Sequence, residues 1–128
     1  MGESRPILLC VDDEKTALYF RKLVLERAGF EVLTATSASD ALAVLSTTRV
    51  DLVLSDILMP NVTGTELAHL IRRYHRGIPV VLFSGVNEVP TEAADADLFI
   101  SKLEGPAILC QKIRALLEKI QIEGDKTD

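Results

Sequence analysis

The chain has 128 residues, the size of one ordinary domain, and at that length roughly two thirds of the unfolded surface is buried without a metal or disulfide staple. Hydrophobic residues at 48% and charged residues at 26% exclude a disordered polyelectrolyte, and 5% aromatics with no Trp require an aliphatic core. Lys+Arg 14 against Asp+Glu 19 gives a net charge of −5, which excludes nucleic-acid binding through a broad basic face but leaves a separate DNA-binding partner open.

The first six residues are polar and the apolar run after them is five residues long, too short for a signal-peptide core or a membrane span. The only two cysteines, Cys10 and Cys110, lie inside apolar runs and read as buried free thiols. With no CxxC or Cys/His cluster there is no structural zinc site, and a cytoplasmic location is expected.

Residues 7–11 form the first predicted strand. A helix over 14–28 follows, with Ala17, Phe20, Val24 and Ala28 as its apolar stripe and Lys15, Arg21, Lys22 and Arg27 on other faces. Gly29 ends it in the C′ role. The second strand is 32–35; Ser37 with Asp40 resembles a capping box opening a helix over 38–46. After the third strand, 52–54, the pair Thr63 and Glu66 repeats that device before a helix over 64–74. His69 and His75 read as surface imidazoles, and Arg72, Arg73 and Arg76 as a solvated basic face with docking as the alternative. The fourth strand is 80–83. Pro90 and Asp97 leave only about one and a half turns for the next helix, over 91–96. The fifth strand, 98–100, leads to Gly105-Pro106 and a last helix striped by Leu109, Ile113, Leu116 and Ile120. Residues 1–122 are expected to be the domain, and 123–128 a polar tail or the start of a linker.

None of the five runs alternates polar with apolar, so each is expected to be buried on both faces, as in parallel sheets. Strands alternating with helices then predict an α/β doubly wound sheet with helices on both faces.

In such sheets ligands sit at the carboxyl ends of the strands. There stand Asp12, Asp13 and Glu14 after the first strand, Asp56 at the third, Ser84 and Gly85 at the fourth, and Ser101 and Lys102 after the fifth. Taken singly, Asp-Asp-Glu would be acids complementing a helix dipole and Lys102 a solvated cation. Jointly they make an oxygen-only site suited to Mg²⁺ or Mn²⁺. A carboxylate there can act as a nucleophile for a phosphoryl group, its charge met by the metal, by Lys102 and by the Ser84 hydroxyl. Asp56 is the predicted phosphoacceptor, with Asp12 and Asp13 holding the metal.

Val11-Asp12-Asp13-Glu14, Asp56-Ile57-Leu58-Met59-Pro60 with Gly64 and Glu66-Leu67 following, Ser84-Gly85, and Phe99 with Lys102 together resemble the receiver domain of two-component response regulators, over essentially the whole chain. The resemblance implies the flavodoxin-like, chemotaxis-receiver-type strand order 2-1-3-4-5. It implies phosphoryl transfer to Asp56 from a sensor histidine kinase or histidine phosphotransfer protein. It implies Mg²⁺ held by Asp12, Asp13, Asp56 and the backbone carbonyl of Leu58. It also implies that Lys102 pairs with the phosphoryl oxygens, and that Ser84 and Phe99 move together as a switch. On this reading the chain is a signalling domain rather than an enzyme, with neither direct nucleic-acid contact nor a membrane segment.

Three features depart from the family. Leu103 stands where the family has Pro after a cis bond, so a trans peptide or local strain is expected at 102–103. The stretch from Ser84 to Lys102 is about one turn short, which shortens the fourth helix and argues against dimerisation through that face. Leu58 and Val86 flank the path of the hydrolytic water with apolar side chains, implying slow self-dephosphorylation. A phosphorylation-independent interaction module is the alternative, as is a receiver cut from a longer regulator or hybrid kinase. A dehalogenase-type phosphatase would need Asp where Leu58 is, and a dinucleotide or flavin enzyme a glycine- or hydroxyl-rich loop where Asp12 and Asp13 are.

Overall fold

Apolar runs of three to five residues, mostly Val, Ile and Leu, are too short for stable helices but suffice for central strands. The computed structural model, which describes residues 5–85 and 95–125, places them accordingly. The elements are β1 (Ile7–Val11), α1 (Lys15–Arg27), β2 (Glu31–Ala35), α2 (Ala38–Thr47), β3 (Leu52–Asp56), α3 (Gly64–Tyr74), β4 (Val80–Ser84), β5 (Leu98–Ser101) and α4 (Pro106–Asp125). The strands form one parallel sheet in the order β2-β1-β3-β4-β5, as expected. Its register sets Val11 beside Ser55, Asp56 beside Phe83 and Ser84 beside Ser101, so the strand ends share one edge.

Alternation along each strand divides the core into two layers. Leu9, Val11, Val53 and Leu82 pack on Ala41 and Leu45 of α2 and Leu67 and Ile71 of α3. Leu8, Cys10, Leu54 and Phe83 pack on Leu18 and Leu25 of α1 and Leu109 and Ile113 of α4. Burial on both faces holds for β3 and β4 but fails at the sheet edges. Glu31 and Thr34 of β2 are exposed, and three of the four residues of β5 are only half-buried. An edge strand has a neighbour on one side alone, so helices cover it less completely.

The expected stripe of α1 is corrected by one position. Leu18, Arg21 and Leu25 are buried, whereas Phe20 is 59% exposed and Tyr19 packs on it edge-to-face at 5.7 Å. Two adjacent apolar stripes both satisfy helical spacing, and the sheet selects the one that carries the arginine. Gly29 terminates α1 at φ +104°, with Gly29 N–H donating to Glu26 O and Phe30 N–H to Leu25 O, a Schellman closure.

Ser37 caps α2 by accepting from Asp40 N–H at 3.1 Å, but the Asp40 side chain turns to Thr36, so the box forms by half. At α3 it forms completely: Thr63 Oγ1 accepts from Glu66 N–H, and Glu66 returns an acceptor to Thr63 N–H at 2.9 Å. Thr63→Ala is expected to cost about 1 kcal/mol, a fall of roughly 4 °C in a thermal melt.

The helix expected over residues 91–96 lies, apart from its last two residues, outside the described residues, which resume with a turn at Asp95. The Lys102–Leu103 peptide is trans, as are all peptides among the described residues. Helix α4 continues through Asp125, so the polar segment expected from Glu123 begins as helix. Cys10 is fully buried, but Cys110 is only half-buried on α4. Among the described residues no helix is long and apolar enough to cross a membrane.

Candidate functional site

The carboxyl edge of the sheet gathers the acidic residues. Asp12, just past β1, is 1% exposed; its backbone N–H donates to Ala35 O at 3.1 Å, which holds the loop against β2. Its Oδ1 accepts from Glu14 N–H at 2.9 Å and its Oδ2 from Arg21 at 3.1 Å. Asp13 is exposed, and Asp56 ends β3 at 7% exposure. One oxygen from each of Asp12, Asp13 and Asp56 lies within 4.8 Å of the others. Lys102, just past β5, brings Nζ to 2.7 Å from Asp56 Oδ1.

Carboxylates this close repel, and Asp56 has also lost most of its water. Burial raises the Asp56 pKa above the ordinary carboxylate value, against the lowering by Lys102 and with a further raise from Asp12. The residues fit a small hard cation: the donors are all oxygen, the charge is concentrated, and Asp13 faces solvent for entry. Cys10, two residues before Asp12, is no rival nucleophile, because burial pushes its thiol up to about 12.

The loop that carries Lys102 is tied without a proline. Lys102 N–H donates to Ser84 O at 2.7 Å, and Leu103 N–H donates to Ser101 Oγ at 3.0 Å. Glu104 accepts from Ser101 N–H and from Lys112, and these bonds hold its carboxyl below the usual range, the Lys112 bond most. Ser84 is buried at the end of β4, beside Ser101. Phe99 is half-buried next to Leu82 and packs on the core layer under α2 and α3.

Gly64 opens α3 directly against β3, its N–H donating to Ile57 O at 2.8 Å. A Cβ there would collide with the Asp56 carbonyl oxygen and lie 2.9 Å from Ile57 Cα, so only glycine admits this approach. Leu58, in the loop between, leaves its side chain 61% exposed.

Two features escaped the sequence reading. Arg21, expected off the apolar stripe, is a buried partner of Asp12; the missed signal is its spacing of three from Leu18 and four from Leu25. His69 and Arg72 are not merely solvated. His69 pairs with Asp95 at 2.9 Å, and Arg72 donates to Asp95 O at 3.2 Å, tying α3 to the segment before β5.

Comparison with known proteins agrees with this geometry. The family model of the response regulator receiver domain matches residues 8–114. The chain is 31% identical to a CheY-like receiver domain protein of Methanospirillum hungatei JF-1, with a TM-score of 0.86 over 94% of this chain and 99% of that one. It is 35% identical over 117 residues to the transcriptional regulatory protein YvrH of Bacillus subtilis, covering 88% of this chain and 49% of that protein. It is 34% identical over 115 residues to the CAI-1 autoinducer sensor kinase/phosphatase CqsS of Vibrio cholerae, covering 84% of this chain and 17% of that protein. The chain thus spans about half or less of these two curated relatives.

Proposed function

We propose that this chain, which belongs to the response regulator receiver family, takes a phosphoryl group from a histidine kinase or histidine phosphotransfer protein onto Asp56 and repacks around it. The observation that carries this reading is the Asp12, Asp13 and Asp56 cluster with Lys102 at 2.7 Å from Asp56. Asp56 Oδ1 is held by Lys102, which leaves Oδ2 as the nucleophile. The new O–P bond forms as the donor's P–N bond breaks, and the imidazole leaves with the electron pair. Asp12, Asp13, Asp56 and the Leu58 carbonyl would hold Mg²⁺, which when bound neutralises phosphoryl charge. Lys102 stabilises the same charge from the β5 side. Ser84, buried one strand away, supplies a hydroxyl for the phosphoryl oxygens, and Phe99 follows into the space this vacates.

Intact mass after incubation with Mg²⁺ and phosphoramidate tests the reading. One added phosphoryl group, lost on chelation, is the expected result. No adduct together with no Mg²⁺ binding would favour a phosphorylation-independent interaction module. Asp13→Ala is expected to weaken Mg²⁺ affinity by about 10–100-fold, since even outer-sphere partners of a metal carry that much; an unchanged calorimetric affinity would remove Asp13 from the site. Lys102→Ala is expected to keep Mg²⁺ binding but to lose the phosphorylation-induced change in the Phe99 ring resonances. Leu58 offers the hydrolytic water no polar partner, so the phosphoryl group is expected to outlast seconds; Val86, the other flanking position, lies outside the described residues.

A further inference from the structure

Arg21 is the least exposed cation among the described residues, at 9%, on the face of α1 between Leu18 and Leu25. It has exchanged its water for two contacts. NH1 lies 3.1 Å from Asp12 Oδ2, and the guanidinium stands 4.5 Å from the centroid of Phe83. The same ring carries Lys102 Nζ at 5.8 Å, and Phe83 is the register neighbour of Asp56. One aromatic ring thus stands beside two cations, each paired with a different carboxylate of the cluster. The two cations leave the cluster with a single net negative charge in place of three. Both oxygens of Asp12 already accept hydrogen bonds, one from Glu14 N–H and one from Arg21. A divalent cation at Asp12 shares Oδ2 with the guanidinium or Oδ1 with Glu14 N–H, and on either oxygen it meets the guanidinium's positive charge, which an arginine cannot relieve by losing its proton.

We infer that Arg21 is a resident counter-cation that sets the affinity of the acidic edge for divalent metal by competing for Asp12. The inference rests on reading Asp12, Asp13 and Asp56 as the metal ligands. It makes Arg21 a positioning residue that holds Asp12 while the metal is away and weakens the metal's hold when it arrives. The opposite effect is also physically available: a guanidinium that merely orients Asp12 would strengthen metal binding, so the sign of the mutational effect decides.

The test is calorimetric titration of the whole chain with Mg²⁺, for the wild type and for Arg21→Gln, Arg21→Met and Arg21→Lys, each checked first by thermal melting. Gln keeps an N–H for Asp12 without the charge and carries the test if Met does not fold. The neutral variants are expected to bind Mg²⁺ on the order of tenfold more tightly, the effect of removing one like charge a few ångströms away in a site open to water. Lys is expected to stay close to the wild type. Neutral variants that bind Mg²⁺ equally or more weakly would overturn the inference and leave Arg21 an orienting residue. Absence of Mg²⁺ binding in every protein, the wild type included, would overturn the metal-ligand reading and the inference with it.

Discussion

Asp56→Asn is expected to abolish phosphoryl acceptance and, without metal at neutral pH, to raise the midpoint of thermal unfolding. The first effect follows from chemistry, because an amide oxygen is too poor a nucleophile to attack phosphorus. The second follows from burial. Folding raises the pKa of Asp56, chiefly by desolvation and in spite of Lys102. A carboxyl that binds its proton more tightly when folded makes ionisation work against the fold. That cost is absent below the ordinary carboxylate pKa, grows as pH rises through the acid range, and is complete above the raised value. Asn never ionises and escapes it. Melts of both proteins should therefore diverge near pH 7 and converge near about pH 3. Saturating Mg²⁺ should reverse the order if Asp56 is one of its ligands as proposed, since binding at 100 times the Kd stabilises by about 2.7 kcal/mol and an amide oxygen is the weaker ligand. A wild type that is the more stable at neutral pH without metal would contradict the burial argument.

Gly64→Ala is expected to cost about 3 kcal/mol and about 12 °C in melting midpoint, three times the effect of Thr63→Ala one residue away. The reason is space rather than dihedral strain. The added methyl would strike the backbone carbonyl of Asp56 and come within 2.9 Å of Ile57 Cα. Backbone cannot rotate aside as a side chain can, so α3 must move off β3. That motion breaks the Gly64 N–H bond to Ile57 O and drags the loop carrying Leu58. Mg²⁺ affinity should fall together with stability. A variant that melts like the wild type would mean that this approach is looser than the geometry indicates.

The fold was legible because its signals are local. Five aliphatic runs, a Gly29 stop and the Thr63–Glu66 box need no tertiary partner to be read, and the strand order followed from the family resemblance. The acidic edge was legible because parallel strands put their following residues at one edge: Asp12, Asp13 and Asp56 lie within 4.8 Å of one another, Lys102 pairs with Asp56, and Ser84 ends its strand beside Ser101. Arg21 was not, since a cation on an amphipathic helix is ordinarily solvated and its ion pair spans loop and helix. The partial exposure of β2 and β5 was hidden for a related reason. A run of Val and Leu looks the same at the edge of a sheet as at its centre, and only the strand order reveals which it is. The tie from His69 and Arg72 to Asp95 depends on where the segment before β5 crosses α3, which no local pattern records.

The central claim is that Asp56 is the residue that becomes phosphorylated, and borohydride trapping tests it most directly. Phosphoramidate and Mg²⁺ are added, the acyl phosphate is reduced, and peptides are sequenced by mass spectrometry. Homoserine is expected at position 56 alone, dependent on both donor and Mg²⁺. Homoserine at position 12 or 13, or none anywhere in a protein that binds Mg²⁺ and carries a phosphoryl adduct, would contradict it.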